Sequence, residues 1–144
     1  MQSIAHRPYR PADDEPYMNP KQLAFFRQLL IRQHKELSAQ ARDSMHQMRA
    51  GTPKEADPID QGVLAAERDF FCQARLRHNR LLARVEEALV RIEEGSYGYC
   101  EETGEAIGLK RLLAQPAATL SVEAQERIER LQRLARSQGM NPNH

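Results

Sequence analysis

The chain has 144 residues, which fits one modest domain or a small body with an elongated projection. Hydrophobic residues make up 40% and aromatic residues only 6%, with no Trp, a balance that suits long amphipathic helices better than a thick globular core. The net charge of +1, from 21 basic and 20 acidic residues, argues against a main affinity for nucleic-acid phosphates, so we expect no specific DNA binding.

No apolar run reaches the roughly 20 residues that a membrane span needs, and residues 1–18 lack the apolar core of a signal peptide. We therefore expect a cytoplasmic protein that does not contact a membrane. The two cysteines, Cys72 and Cys100, do not form a disulfide framework.

Several prolines and few apolar residues in residues 1–18 predict a flexible N-terminal arm. A helix start signal follows, because Asn19 can cap a helix, Pro20 suits its first position and Gln22 occupies the capping-box position. Apolar side chains then recur at steps of three, four or seven as far as Arg49: Leu23, Phe26, Leu30, Leu37, Ala41, Met45 and Met48. This pattern predicts one long helix with an apolar stripe.

A second long helix is predicted to begin at Asp57 and Pro58, after a break at Gly51 and Pro53. Its apolar stripe runs to about Glu94 and contains Ile59, Val63, Ala66, Phe70, Ala74, Leu81, Val85, Ala88 and Ile92. Two long stripes joined by a short connector predict an antiparallel coiled-coil hairpin over residues 19–94, with an acidic tip near 55–62. About 30 residues at 1.5 Å each give an arm roughly 45 Å long.

Two histidines interrupt the two stripes. His34 and His78 could face each other across the hairpin as a pH switch or metal pair. The alternative is that they are polar seam residues that set the register of the coil.

The remaining chain predicts a compact base for the hairpin. Residues 95–120 are rich in turns and form a small globular module, and residues 121–144 form a C-terminal helix and tail, with Ser121 as the helix cap. One side of this helix carries Val122, Ile128, Leu131 and Leu134. The predicted fold class is therefore mainly α, with a long hairpin, a small module and a terminal helix that packs on it.

Local motifs and overall layout resemble the DksA/TraR family of bacterial RNA polymerase-binding transcription regulators. The resemblance is carried by the tip DPID, the GYC-x-x-T-G-x-x-I-G turn and the R-L-x-A-x-P stretch, and it extends from YMNPKQLAFFRQLL to the last helix. It implies a regulator without enzymatic activity that controls initiation, for example at ribosomal RNA promoters during the stringent response.

The family's zinc motif is degenerate in this chain. Family members carry C-x2-C-x17-C-x2-C, a spacing typical of a structural zinc site, and those positions hold Cys100, Thr103, Ser121 and Ala124 here. One thiolate cannot close such a site, so the chain looks like a zinc-independent paralogue within the family, with no tightly bound cofactor. We expect burial of apolar side chains to offset the missing metal: Tyr97, Tyr99, Ile107, Leu109, Leu112 and Leu113.

The acidic tip has two interpretations that do not exclude each other. Asp57 and Asp60 can cap the helix and favour its dipole, and the resemblance implies that they act inside the secondary channel of RNA polymerase. Gly62 replaces the family's alanine and adds backbone freedom near the tip. The alternatives are a Gre-like transcript-cleavage cofactor, whose tip acids would hold a magnesium ion, and a plain coiled-coil adaptor.

The resemblance also implies that the alarmone ppGpp is an effector, bound between the regulator and the polymerase. The family positions that face it fall on Arg84, Gln115 and Gln125, with Leu81 alongside. The glutamines replace positive residues and pair less strongly with a pyrophosphate. Arg77 matches a family position that touches polymerase, although both arginines could be ordinary solvated coil residues. We expect the protein to act as a monomer.

Overall fold

The computed structural model describes residues 7–50 and 58–139, and the side chains of residues 7–49 and 61–139. Four helices lie in these ranges: α1 (Pro20–Ala50), α2 (Pro58–Glu94), α3 (Leu109–Ala114) and α4 (Val122–Ser137). The extended structure in the same ranges is a single antiparallel bridge between Tyr99 and Ala106. The mainly helical fold predicted from the sequence is confirmed. Among the described helices, none is long and apolar enough to cross a membrane.

The start of α1 is held by side chains around Asn19. Its Oδ1 accepts a hydrogen bond from the Gln22 backbone N–H at 3.0 Å, as a capping residue does. Gln22 is fully buried, and its Oε1 accepts from the Met18 backbone N–H at 2.8 Å. The predicted capping box is therefore present, with the returning bond one residue before the cap.

α1 and α2 pack against each other as an antiparallel pair. An ion pair joins Arg27 to Glu93 at 3.6 Å, and one turn or two further along α1, His34 Nε2 lies 3.1 Å from Glu86 Oε1. The contacts advance along α1 as they retreat along α2, which is the arrangement of a hairpin. The hairpin prediction is confirmed for the described parts of both helices.

The two seam histidines do not face each other. His34 meets Glu86, whereas the His78 ring, on the opposite helix, contacts the backbone carbonyl oxygen of Leu37 through Nε2. The idea of a histidine pair is wrong because each ring already has a different partner. His78 is a polar seam residue that contacts the facing backbone.

The apolar stripe predicted for α2 is wrong in its distal half. Val63, Phe70 and Leu81 are exposed, and the partly buried side chains lie one residue later in each case: Leu64, Phe71 and Leu82. α2 carries two adjacent apolar rows, and helical periodicity alone does not say which row the facing helix covers. Only contact with α1 decides between them.

The hydrophobic core lies at the base of the hairpin, where both helices meet the small module. Its buried members are Phe26, Leu30, Val85, Ala88, Tyr97, Cys100, Ile107, Leu109, Leu112 and Ala124. Tyr97 is 2% exposed, and its hydroxyl donates to the Pro116 carbonyl oxygen at 2.7 Å. Burial raises the pKa of this phenol.

The side chains expected to compensate for a missing metal are mostly in this core. Tyr97, Ile107, Leu109 and Leu112 are buried as predicted, and Leu113 is partly buried. Tyr99 is the exception, since it is exposed and packs edge-on against the ring of Tyr17. The module therefore has an apolar core that is continuous with the hairpin.

The N-terminal segment differs from the predicted flexible arm over its described part. The Tyr17 hydroxyl donates to the Gly98 carbonyl oxygen at 2.6 Å and accepts from the Gly108 N–H at 3.0 Å. Met18 packs so closely on Gly98 that an added side chain there would lie 2.8 Å from it, and Pro11 is buried. This segment ties α1 to two turns of the module.

The terminal helix docks through its beginning. Ser121 caps α4 by accepting a hydrogen bond from the Ala124 N–H at 3.2 Å, as predicted, and both residues are buried. The predicted apolar side of α4 is not buried, because Val122, Leu131 and Leu134 are exposed. The module is too small to cover four turns of helix.

Candidate functional site

The acidic tip is only partly within the described residues. Asp57 lies outside them, and so do the side chains of Asp60, which belongs to the first turn of α2, and of its neighbours. Gly62 is exposed, and a methyl group at this position would meet no described atom within 4 Å. The described residues around Gly62 therefore leave room for the alanine that the family carries there.

The four positions of the degenerate zinc motif are held around one buried thiol. Cys100, Ser121 and Ala124 are each at most 5% exposed, and Thr103 lies on the turn that follows Cys100. The backbone closes this turn, since the Cys100 N–H donates to the Glu105 carbonyl oxygen at 2.8 Å. Burial and turn geometry therefore place a thiol, two hydroxyls and a methyl group where a metal would be expected.

The Cys100 thiol has a lowered pKa. Burial is the largest single influence and raises it, but hydrogen bonds from the side chains and backbone N–H groups of Thr103 and Ser121 together outweigh burial and lower the pKa from 9.0 to about 6. Both hydroxyl oxygens also accept from the backbone, from the N–H groups of Glu105 and Ala124 respectively. Their protons are therefore available to the sulfur.

These residues do not fit a structural zinc ion. Zinc takes four thiolate, imidazole or carboxylate ligands in tetrahedral sites, whereas Cys100 is the one such donor at the four positions. Among the described residues, no three His, Cys, Asp or Glu side chains are grouped so as to hold a metal ion. The Thr103 and Ser121 hydroxyls instead donate to the sulfur.

The predicted effector positions are brought together in one groove at the base. Leu81 and Arg84 of α2, Gln115 after α3 and Gln125 of α4 all line an open cavity of about 710 Å³. Three chain segments that are far apart in sequence therefore contribute to one site. Arg77 is exposed on α2 and does not line this cavity.

Charge in the groove is mixed. Arg84 and Arg111 supply positive charge, while Glu87, Glu126 and Glu129 supply negative charge along the same walls. The side-chain amide of Gln125 donates to Glu129 at 2.8 Å, so that one of its donors is already engaged. A highly charged anion would therefore meet both favourable and unfavourable groups here.

Sequence reasoning missed two groove residues. Arg111 lies on α3, one helical turn before Gln115, and its Nε donates to the Leu120 carbonyl oxygen at 2.9 Å. Gln33 of α1 reaches the same cavity from the other helix of the hairpin. The spacing of Arg111 and Gln115 could have suggested the first, but nothing local marks Gln33.

Comparison with known proteins identifies the family. Residues 22–92 match the family described as DnaK suppressor protein DksA, N-terminal domain, and residues 95–130 match the prokaryotic dksA/traR C4-type zinc finger. The second match spans the module in which one of the four cysteines is present. The two matched segments correspond to the hairpin and to the base with the start of α4.

Similar proteins and structures cover most of this chain. The RNA polymerase-binding transcription factor DksA of Caulobacter vibrioides is 45% identical over 89% of this chain and 90% of its own length, and that of Escherichia coli is 31% identical over 85% and 81%. Transcription factor DksA2 from Pseudomonas aeruginosa superposes with a TM-score of 0.73 at 41% identity, over 81% of this chain and 90% of that chain. The chain belongs to the DksA family.

Proposed function

We propose that this protein binds RNA polymerase directly and regulates transcription initiation in the bacterial cytoplasm, acting as a monomer. The observation that carries the proposal is the groove at the base of the hairpin, which gathers Leu81, Arg84, Gln115 and Gln125. Relatives at 45% and 31% identity are named RNA polymerase-binding transcription factors, and each aligns over most of its length.

The hairpin suggests how the protein acts. α1 has 31 residues and α2 has 37, so the arm is about 45 Å or more in length at 1.5 Å per residue. We propose that it enters the secondary channel of the polymerase and presents Asp57 and Asp60 near the catalytic region. There the carboxylates act through their charge on the initiation complex, and the protein itself catalyses no reaction.

Replacing Asp60 by Asn tests the role of the tip. Transcription from a ribosomal RNA promoter with purified polymerase should lose most of its response to the protein. Stability should change by less than about 1 kcal/mol, because the residue supplies one first-turn charge to a helix. The variant Asp69→Asn, which removes an exposed acid farther along α2, should regulate like the wild type.

The same reagents separate the rival functions. A cleavage cofactor would shorten the RNA in backtracked polymerase, and Asp60→Asn would abolish that activity. A plain adaptor would leave promoter output unchanged with either variant. Full regulation by Asp60→Asn would reduce the tip acid to a helix cap.

We further propose that ppGpp strengthens this regulation by binding between the groove and the polymerase. Arg84 and Arg111 offer donors for phosphate, whereas Gln125 is engaged by Glu129. The groove alone is thus a weak polyanion site, and polymerase must supply further positive charge. Adding ppGpp to the promoter assay should increase the inhibition, and no increase would remove the effector from the proposal.

We also propose that the fold needs no zinc. Purified protein should contain far less than one zinc per chain, and excess chelator should leave its thermal midpoint unchanged. Structural zinc is worth about 10–16 kcal/mol in finger peptides, so a zinc-dependent base would collapse in the same experiment. Stoichiometric zinc, or a midpoint that falls with chelator, would contradict this proposal.

A further inference from the structure

α2 carries an apolar row that no other part of the described chain covers. We call it the outer row and define it as Val63, Ala66, Phe70 and Leu81, all of which are exposed. Val63 is 55% and Phe70 66% exposed. It lies beside the partly buried row of Leu64, Phe71 and Leu82 that faces α1. The apolar surface of α2 is therefore wider than one partner helix can cover.

The outer row is continuous with surfaces that are already in use at the base. Ala88 follows Leu81 by seven residues, which returns to nearly the same side of a helix, and it is 2% exposed within the core. Leu81 itself lines the groove. The same side of α2 is thus covered at the base and uncovered along the arm.

Three arginines flank the outer row on its base side. Arg77, Arg80 and Arg84 are all exposed, and none of them forms an ion pair with a described carboxylate. An apolar row bordered by unpaired positive charge is complementary to an apolar surface with an acidic rim. Contiguous exposed apolar patches of this kind mark interaction sites, unlike single exposed side chains.

We propose that the outer row is a docking face for RNA polymerase, and that it fits a polymerase surface with an apolar centre and an acidic rim. The inference rests on the proposed function and adds to it the side of the arm that makes contact. The row extends for about 27 Å from Val63 to Leu81 at 1.5 Å per residue. That length suits a protein surface better than a small effector.

The chain offers a matched control for this face. Leu76 is also on α2 and is 49% exposed, but it lies six residues after Phe70, about 120° around the helix. Phe70→Gln and Leu76→Gln each replace an exposed apolar side chain by a polar helix former. Neither should change the free energy of unfolding by more than about the experimental error, because both positions are on the surface.

Affinity of the full chain for purified RNA polymerase is the measurement. Phe70→Gln should weaken binding about tenfold or more, as expected for the loss of a large apolar side chain from an interface. Leu76→Gln should bind within about twofold of the wild type. Light scattering on each protein would show at the same time whether the outer row mediates self-association.

The other outcomes overturn the inference in different ways. If Phe70→Gln binds as tightly as the wild type, the docking face is wrong and the proposed function stands. The face is also wrong if both variants weaken binding equally. If Phe70→Gln converts a dimer into a monomer without changing polymerase affinity, the outer row binds a second copy. A wild-type chain that does not bind polymerase would remove the proposed function together with the inference.

Discussion

The variant Leu112→Ala should lose about 2–5 kcal/mol of unfolding free energy, the range for large-to-small changes in a packed core. Leu112 is fully buried on the short helix α3, between the hairpin and the module. A helix of 6 residues has little stability of its own. Loss of this side chain should therefore loosen the whole module, which urea unfolding followed by circular dichroism would measure.

The matched control for this change is Leu131→Ala. Leu131 is 60% exposed on α4, so its truncation should change stability by less than about 0.5 kcal/mol. Equal effects of the two substitutions would contradict the arrangement in which α3 is central and the far part of α4 is peripheral. A small effect at Leu112 alone would show that the module collapses around the cavity.

The stability of the wild type should fall as the pH is lowered from about 9 to about 6, because of Cys100. Its thiol has a pKa of about 6 in the folded chain against 9.0 in the reference state. A lowered folded-state pKa means that the unfolded chain binds more protons across this range. The contribution is therefore complete above pH 9 and is lost progressively as the pH approaches 6.

Two cysteine variants isolate this effect. Cys100→Ala should remove this part of the pH dependence, whereas Cys72→Ser, at an exposed position on α2, should retain it. Unfolding by urea at a series of pH values would measure the difference between the curves, in which the histidine titrations cancel. A wild-type curve parallel to that of Cys100→Ala would show that Thr103 and Ser121 do not stabilise a thiolate.

The thiol cluster and the apolar core together explain how the base can hold without a metal. Hydrogen bonds to Cys100 connect the turn after α2 to the start of α4, which are the two places where the zinc motif would supply ligands. Tyr17 adds a further connection through Gly98 and Gly108. These contacts are individually weaker than metal coordination, but they act on the same two turns.

Features encoded by neighbouring residues were predicted well. α1 begins at Pro20 and α2 at Pro58, as the cap signals indicate, because capping and proline restraints act within a few residues. Gly95 has a positive φ of 83° immediately after α2, and Ser121 caps α4. Turn and cap chemistry is local, so it can be recognised without knowing what lies nearby in space.

The site was predicted only as far as the family resemblance reached. It named Leu81, Arg84, Gln115 and Gln125, and these do line one groove. It did not reveal Arg111 or the pairing of Gln125 with Glu129. Those depend on how α3 and α4 are placed against the hairpin, which no spacing within a single segment encodes.

The amino-acid sequence by itself determined where the helices begin and end, that they form a hairpin on a small base, and that the four-cysteine motif is incomplete. Only the tertiary structure decided which apolar row of α2 faces α1, that His34 meets Glu86, and that Tyr17 holds the module. The physical reason is that periodicity and caps are properties of one segment. Burial is a property of two surfaces, and α2 has more apolar surface than α1 covers.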